Sequence, residues 1–175
     1  YSVVEFDMTT KEKNILKQHK VLDKNFDKNN YITERIWAKS RDGNNIPISL
    51  IYKKGIKKDG SNPLLLYGYG SYGNTIDPSF SISRLSLLDR GFIYAISHVR
   101  GSEYLGRDWY ENGKLLNKKN TFFDFVDSTK FLISQGYTSA DHSYAYGGSA
   151  GGLLMGTVIN IAPELYNGVI AAVPF

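Results

Sequence analysis

Apolar and polar positions follow two different rhythms along the chain. In the first third the strand period dominates. Val3–Phe6 and Asn14–Lys17 are short strand candidates around the turn-rich Thr9-Thr10-Lys11. Ile32–Lys39 and Ile46–Tyr52 are longer ones, flanking Arg41-Asp42-Gly43-Asn44-Asn45. Asp-Gly and Asn suit the left-handed positions of a hairpin turn, which predicts an antiparallel pair. Between the two hairpins, Asp23–Asn30 is polar and reads as a linker.

From Pro63 onward strand alternates with helix. Leu64–Tyr67 is a short apolar run fit for a buried strand, and Ser83–Asp89 sets Leu85 and Leu88 on one helical face before Gly91. Phe92–Val99 is again a strand. Thr121 stands where a cap belongs, ahead of Phe122, Phe125, Val126, Thr129, Leu132 and Ile133 at helical spacing, with Gly136 as the stop. Ser143–Tyr146 reads as a strand, Ala150–Ile161 as a helix and Val169–Val173 as a strand. Alternating helices and buried strands predict an α/β fold with a mostly parallel sheet.

Composition narrows the function. The chain has 175 residues, 42% hydrophobic and 22% charged, enough for one core and unlike a disordered segment. The absence of Cys removes disulfides, thiolate metal sites and a Cys nucleophile. The net charge of +4 comes from scattered Lys residues and reads as surface charge, not as a nucleic-acid face. No apolar run approaches the ~20 residues of a membrane span, and neither a signal peptide nor a glycosylation sequon is present. A cytoplasmic protein without membrane contact is the expectation. Tyr1 is no initiator and Gly168–Phe175 is apolar to its last residue, so a piece of a longer protein is expected as well.

The most informative stretch is Tyr146–Gly152, which holds Gly147-x-Ser149-x-Gly151 between a predicted strand and a predicted helix. A tight strand-to-helix turn would lift the Ser149 hydroxyl off the sheet, with glycines where side chains would collide. The helix N-terminus would then offer N–H groups to a developing oxyanion. Gly68-x-Gly70-x-x-Gly73 imitates a dinucleotide loop, but Asn74–Ser79 with Pro78 opposes the immediate helix that such a loop needs. No cofactor is expected. Hydrolases built on this elbow place an acid and then a His after the Ser. Here His19, His98 and His142 all precede Ser149, and only Glu164 follows it among the acids. The base is therefore expected outside this chain.

Six segments, in order, resemble the oligopeptidase B (protease II) branch of the prolyl oligopeptidase family of serine peptidases. They are Tyr67–Gly73, Ser83–Gly91, His98–Gly101, Trp109–Glu111, Lys118–Phe122 and Gly147–Gly156. The resemblance is strong over 31–175 and weak over 1–30. It implies the N-terminal part of an α/β-hydrolase domain over 31–175, and the last strands of a β-propeller plus a linker over 1–30. It implies cleavage of short basic peptides after Arg or Lys through an acyl-enzyme on Ser149. The Ala150 N–H and the Tyr69 hydroxyl would hold the oxyanion, and Tyr72 would line the primary specificity pocket. This branch often carries two acids in the stretch matching Asp77–Ser79, favouring a basic P2 residue; Asp77 is kept and Ser79 replaces the second. Arg100-Gly101-Ser102-Glu103 stands where Arg-Gly-Gly-Gly is common. The triad Asp and His and the acids that recognise P1 match positions beyond Phe175. Other readings are a prolyl oligopeptidase with a Pro pocket, a carboxylesterase, or a non-catalytic binding domain. The oligomeric state is not legible.

Overall fold

The computed structural model describes residues 1–24 and 26–175. Strands β1 (Ser2–Phe6) and β2 (Lys13–Gln18) pair antiparallel, with a bulge between Val3 and Val4, in a ribbon exposed throughout. Of the expected linker Asp23–Asn30, Asn25 lies outside the described residues. The remainder is tethered. Asp27 caps a single 3-10 turn over Lys28–Asn30, while Phe26 stacks on Tyr31 at 6.0 Å and meets Phe80 edge-on at 5.8 Å.

The main sheet begins at Tyr31. Its strands are β3 (Tyr31–Lys39), β4 (Asn45–Lys53), β5 (Leu64–Tyr67), β6 (Ile93–Ser97), β7 (Ser143–Gly148) and β8 (Gly168–Ala172). They lie in the order β3-β4-β6-β5-β7-β8. β4 runs antiparallel to both β3 and β6, and from β6 to β8 every pair is parallel. The expected hairpin is present, with Ala38 opposite Ile46 across its turn.

Helices α1 (Ile82–Leu88), α2 (Arg107–Glu111), α3 (Lys119–Ser134) and α4 (Ala150–Ile161) complete the layers. α3 and α4 cover one sheet face, where Phe125, Leu132, Leu154, Met155 and Val158 pack on Ile46, Ile48, Leu64, Leu66 and Ile93. Each such side chain, fully buried, stabilises the fold by about 1.5–3 kcal/mol. α1 covers the other face through Leu85 and Leu88 against Leu65, Tyr94 and Ile96. Beside α1 a cavity of about 580 Å³ opens between Phe26, Arg35, Phe80, Arg84 and Tyr94.

Three expectations need correction. Thr121 does not cap α3: the helix starts at Lys119, and the Thr121 hydroxyl lies 2.7 Å from the Arg100 carbonyl with no exposed surface. A hydroxyl ahead of an apolar stripe looks the same in sequence whether it serves its own helix or another segment. The strand over Phe92–Val99 is shorter, ending at Ser97. β8 is half-exposed instead of buried, with Ile170 at 55%. The short α2 escaped prediction because Trp109 is its single buried residue.

Candidate active site

β7 ends at Gly148, α4 begins at Ala150, and Ser149 makes the whole turn between them at φ +55°, ψ −116°. That backbone is strained for a residue with a Cβ. Close packing imposes it. A Cβ on Gly147 would stand 2.2 Å from the Gly151 carbonyl oxygen, and one on Gly151 would stand 2.6 Å from the Gly68 carbonyl oxygen. The Ser149 N–H donates to the Ala172 carbonyl at 2.9 Å, tying the turn to β8. Ser149 itself is exposed. The Ala150 N–H, at the first position of a 12-residue helix, has no intrahelical acceptor and lies at the positive end of the dipole. Ser149 is therefore an exposed serine beside the N–H that opens α4.

Tyr69 is brought to the same place. Its Cα and ring lie 3.4 and 3.5 Å from the point where a Gly151 Cβ would stand. Its loop, Gly68–Gly73, follows β5, the neighbour of β7, and no helix begins until Ile82. Gly70 takes φ +71°, and a Cβ there would meet Thr121 Cγ2 at 2.3 Å. The loop rests on the segment His98–Ser102. The Gly73 N–H donates to the Gly101 carbonyl at 3.0 Å, and the Glu103 N–H returns one to the Gly73 carbonyl at 3.0 Å. Ser102, which departs from the branch pattern, is accommodated: its hydroxyl donates to the Val99 carbonyl at 2.8 Å.

Sequence reasoning missed what holds that segment. Arg100 is 3% exposed and grips Asp124 of α3 through its backbone N–H at 3.0 Å and its guanidinium at 2.8 and 2.6 Å. A further N–H of the guanidinium reaches Asp42 in the β3–β4 turn at 2.5 Å, and the pair holds the Asp42 carboxyl well below the usual carboxylate range. The available signal was Asp124 on the apolar stripe of a helix, beside Phe125. Lys118 shows no role of its own in the sequence. Its ammonium donates to the Gly70 carbonyl and to the Ser71 hydroxyl.

The remaining candidates lie further out. Tyr72 is 70% exposed at φ +58°. Among the described residues five non-glycines take positive φ, and Tyr72 and Ser149 are two of them. Asp77 is exposed, and its carbonyl accepts the Ser79 N–H at 2.7 Å. Ser79 faces the cavity beside α1, which no residue of the elbow lines.

Each of the three histidines has surroundings of its own. His98 Nε2 lies 2.7 Å from the Ser49 hydroxyl, which imitates a catalytic pair, but the imidazole is 3% exposed and stacked 3.7 Å from Tyr104. Burial, with Arg35 nearby, pushes its pKa down to about 3. His142 precedes β7 while Ser149 follows it, so the six-residue strand separates them by about 20 Å. His19 lies at the end of the exposed ribbon, edge-on to Tyr1 at 6.1 Å. Among the described residues no cluster of His, Asp or Glu could hold a metal, and no helix is long and apolar enough to cross a membrane.

Known proteins share this fold. The sequence profile of the prolyl oligopeptidase family matches residues 78–175. Dipeptidyl aminopeptidase BI of Pseudoxanthomonas mexicana is 51% identical over 172 residues, which are 98% of this chain and 24% of that protein. Protease 2 of Moraxella lacunata is 47% identical over 150 residues, 86% of this chain and 22% of that protein. The structure of oligopeptidase B from Leishmania major superposes with a TM-score of 0.91 at 42% identity, over 99% of this chain and 24% of that one. The chain thus spans about a quarter of the length of these relatives. The match carries the sheet and its elbow into the α/β-hydrolase fold, and the chain belongs to the prolyl oligopeptidase family.

Proposed function

We propose that this chain is the nucleophile-bearing part of a serine oligopeptidase that cleaves short peptides after Arg or Lys. The Ser149 hydroxyl attacks the scissile carbonyl, and its proton passes to a His outside this chain and then to the departing amine. The Ala150 N–H and the Tyr69 hydroxyl hold the oxyanion, and water later releases the acyl group. The observation that carries the reading is Ser149 at φ +55° between β7 and α4, with Tyr69 packed against Gly151. The base falls to the part of the enzyme that the relatives have and this chain does not span.

Preference for Arg or Lys rests on the likeness to Protease 2 and oligopeptidase B. Asp77, exposed after the Tyr69 loop, is proposed to meet a basic P2 residue, and Tyr72 to flank the P1 side chain. Residues 1–30 are read as the end of a propeller and its linker; the separate two-stranded ribbon and the start of the main sheet at Tyr31 support that division. A cytoplasmic location belongs to the same proposal. A second reading, release of dipeptides from a free N-terminus, is favoured by the relative that is 51% identical and named for that activity.

The test uses the full-length enzyme. Ser149→Ala should lower kcat by several orders of magnitude without changing the melting temperature. Peptides with Arg, Lys or Pro at P1, each with a blocked or a free N-terminus, separate the specificities. Preference for blocked Arg and Lys peptides supports the main reading; exclusive cleavage of free-amine or Pro peptides overturns it. Asp77→Asn should shrink an Arg-Arg over Gly-Arg preference by at most about five-fold, the worth of an exposed ion pair.

A further inference from the structure

Lys118 is placed against ordinary preferences. It stands at the start of α3 beside Lys119, where the helix dipole disfavours cations, and that first turn holds no acid. Its ammonium turns inward, reaching the Gly70 carbonyl and, at 2.7 Å, the Ser71 hydroxyl. It also lies over the Phe122 ring, 5.8 Å from the centroid. Among the described residues it makes no ion pair. Burial pushes its pKa down to about 8. A desolvated cation without an anion costs free energy, so this position would be cheaper to fill with an apolar side chain.

What a cation supplies here is a pair of charge-assisted hydrogen bonds to consecutive residues of one loop. Those residues, Gly70 and Ser71, are flanked by Tyr69 and Tyr72. Backbone bonds between Gly73 and the Gly101–Glu103 segment hold the end of the loop, but at the Gly70 carbonyl itself the Thr121 hydroxyl is a distant 3.5 Å away, which leaves Lys118 as the close donor there.

We propose that Lys118 is a positioning residue: by clamping Gly70 and Ser71 it sets the Tyr69 hydroxyl over the elbow at Ser149. This rests on the proposed role of Tyr69 as an oxyanion donor. Lys118 touches no reacting atom and acts through Tyr69 alone. Its loss should therefore be felt in kcat, and only while the Tyr69 hydroxyl is present.

The experiment is a double-mutant cycle in the full-length enzyme with a peptide substrate, reading kcat and KM separately. Tyr69→Phe comes first; if it leaves kcat intact, the oxyanion role fails and the clamp falls with it. With that role standing, Lys118→Met should lower kcat about ten- to hundred-fold, the cost of misplacing a catalytic group by ~1 Å, with KM within about two-fold. Lys118→Arg should recover most of the loss. In the Tyr69→Phe background, Lys118→Met should cost less than about two-fold. Unchanged kcat in Lys118→Met, a rise in KM alone, or losses that multiply in the double variant would each overturn the clamp while leaving the Tyr69 role in place. Should Lys118→Met fail to fold, Ser71→Ala and Lys118→Gln run through the same cycle: dependence of their effects on the Tyr69 hydroxyl supports the clamp, and independence overturns it.

Discussion

The loops after β7 and after β5 are both rich in glycine, yet different forces hold them. Around Ser149 the contacts are backbone against backbone: Gly147 against Gly151, Gly151 against Gly68, and the Ser149 N–H on the Ala172 carbonyl. Around Tyr69 two backbone bonds at Gly73 are joined by side chains distant in sequence: Thr121 and Lys118 of the α3 region, and Asp124 acting through Arg100. The first loop depends on its own Gly147 and Gly151, four residues apart, packed against the backbones of the neighbouring β5 loop and β8. The second is specified by a helix some fifty residues downstream. The Ser149 turn is therefore held by backbone packing, whereas the Tyr69 loop depends also on side chains of the layer beneath.

The comparison can be broken most sharply at Gly147. Gly147→Ala places a methyl 2.2 Å from a carbonyl oxygen that cannot rotate away. The variant should lose about 1–3 kcal/mol of stability by overpacking. Displacing the nucleophile should remove more than about 10³-fold of kcat/KM. A variant with wild-type melting temperature and rate would show that the elbow is not held by close packing.

Tyr69→Phe probes the other loop with a gentler change. The ring still packs on Gly151, so the melting temperature should stay within about 1 °C, the shift of a small fraction of 1 kcal/mol. kcat should fall about 10²–10³-fold with KM nearly unchanged, as for loss of one oxyanion donor. A loss confined to KM would make Tyr69 a binding residue instead.

Acid should distinguish the two supports as well, because only one of them contains a buried titratable group. His98, at the head of the segment under the Tyr69 loop, is neutral when folded down to a pKa of about 3. Unfolded, it takes up a proton near the ordinary imidazole value of about 6.5. Between those values the unfolded chain binds the extra proton, so stability falls as pH falls, by at most about 1.4 kcal/mol per pH unit from this group. Denaturation midpoints of wild type and His98→Asn between pH 7 and 4 should converge toward acid. Parallel decline would assign the acid sensitivity to other groups.

What could be read beforehand follows the same division. The elbow was legible because its requirement is local: Gly147, Ser149 and Gly151 state it in five residues, and strand and helix periods flank them. The parallel sheet was legible from the short apolar runs of β5 and β6. The second support was not. Thr121 reads as a cap, Asp124 as one more polar residue on α3, and Lys118 as surface charge, until the fold sets them beside Arg100 and Gly70. A polar side chain that serves a distant backbone leaves no periodic trace.

The turn of the β3–β4 hairpin has a consequence in time as well as in space. Arg41 binds Asp127, 86 residues later, and Asp42 binds Arg100, 58 residues later. Ribosomes add about 5–20 residues per second, so Arg41 precedes its partner by roughly 4–17 s. During that interval β4 has emerged with Ile46 and Ile48, while α3, which will cover them, has yet to be made. The hairpin can pair with itself at once, but no part of its own domain covers its apolar face until Phe125 arrives. Within this domain, synthesis order thus leaves that face open longer than the hydrogen bonds that build it.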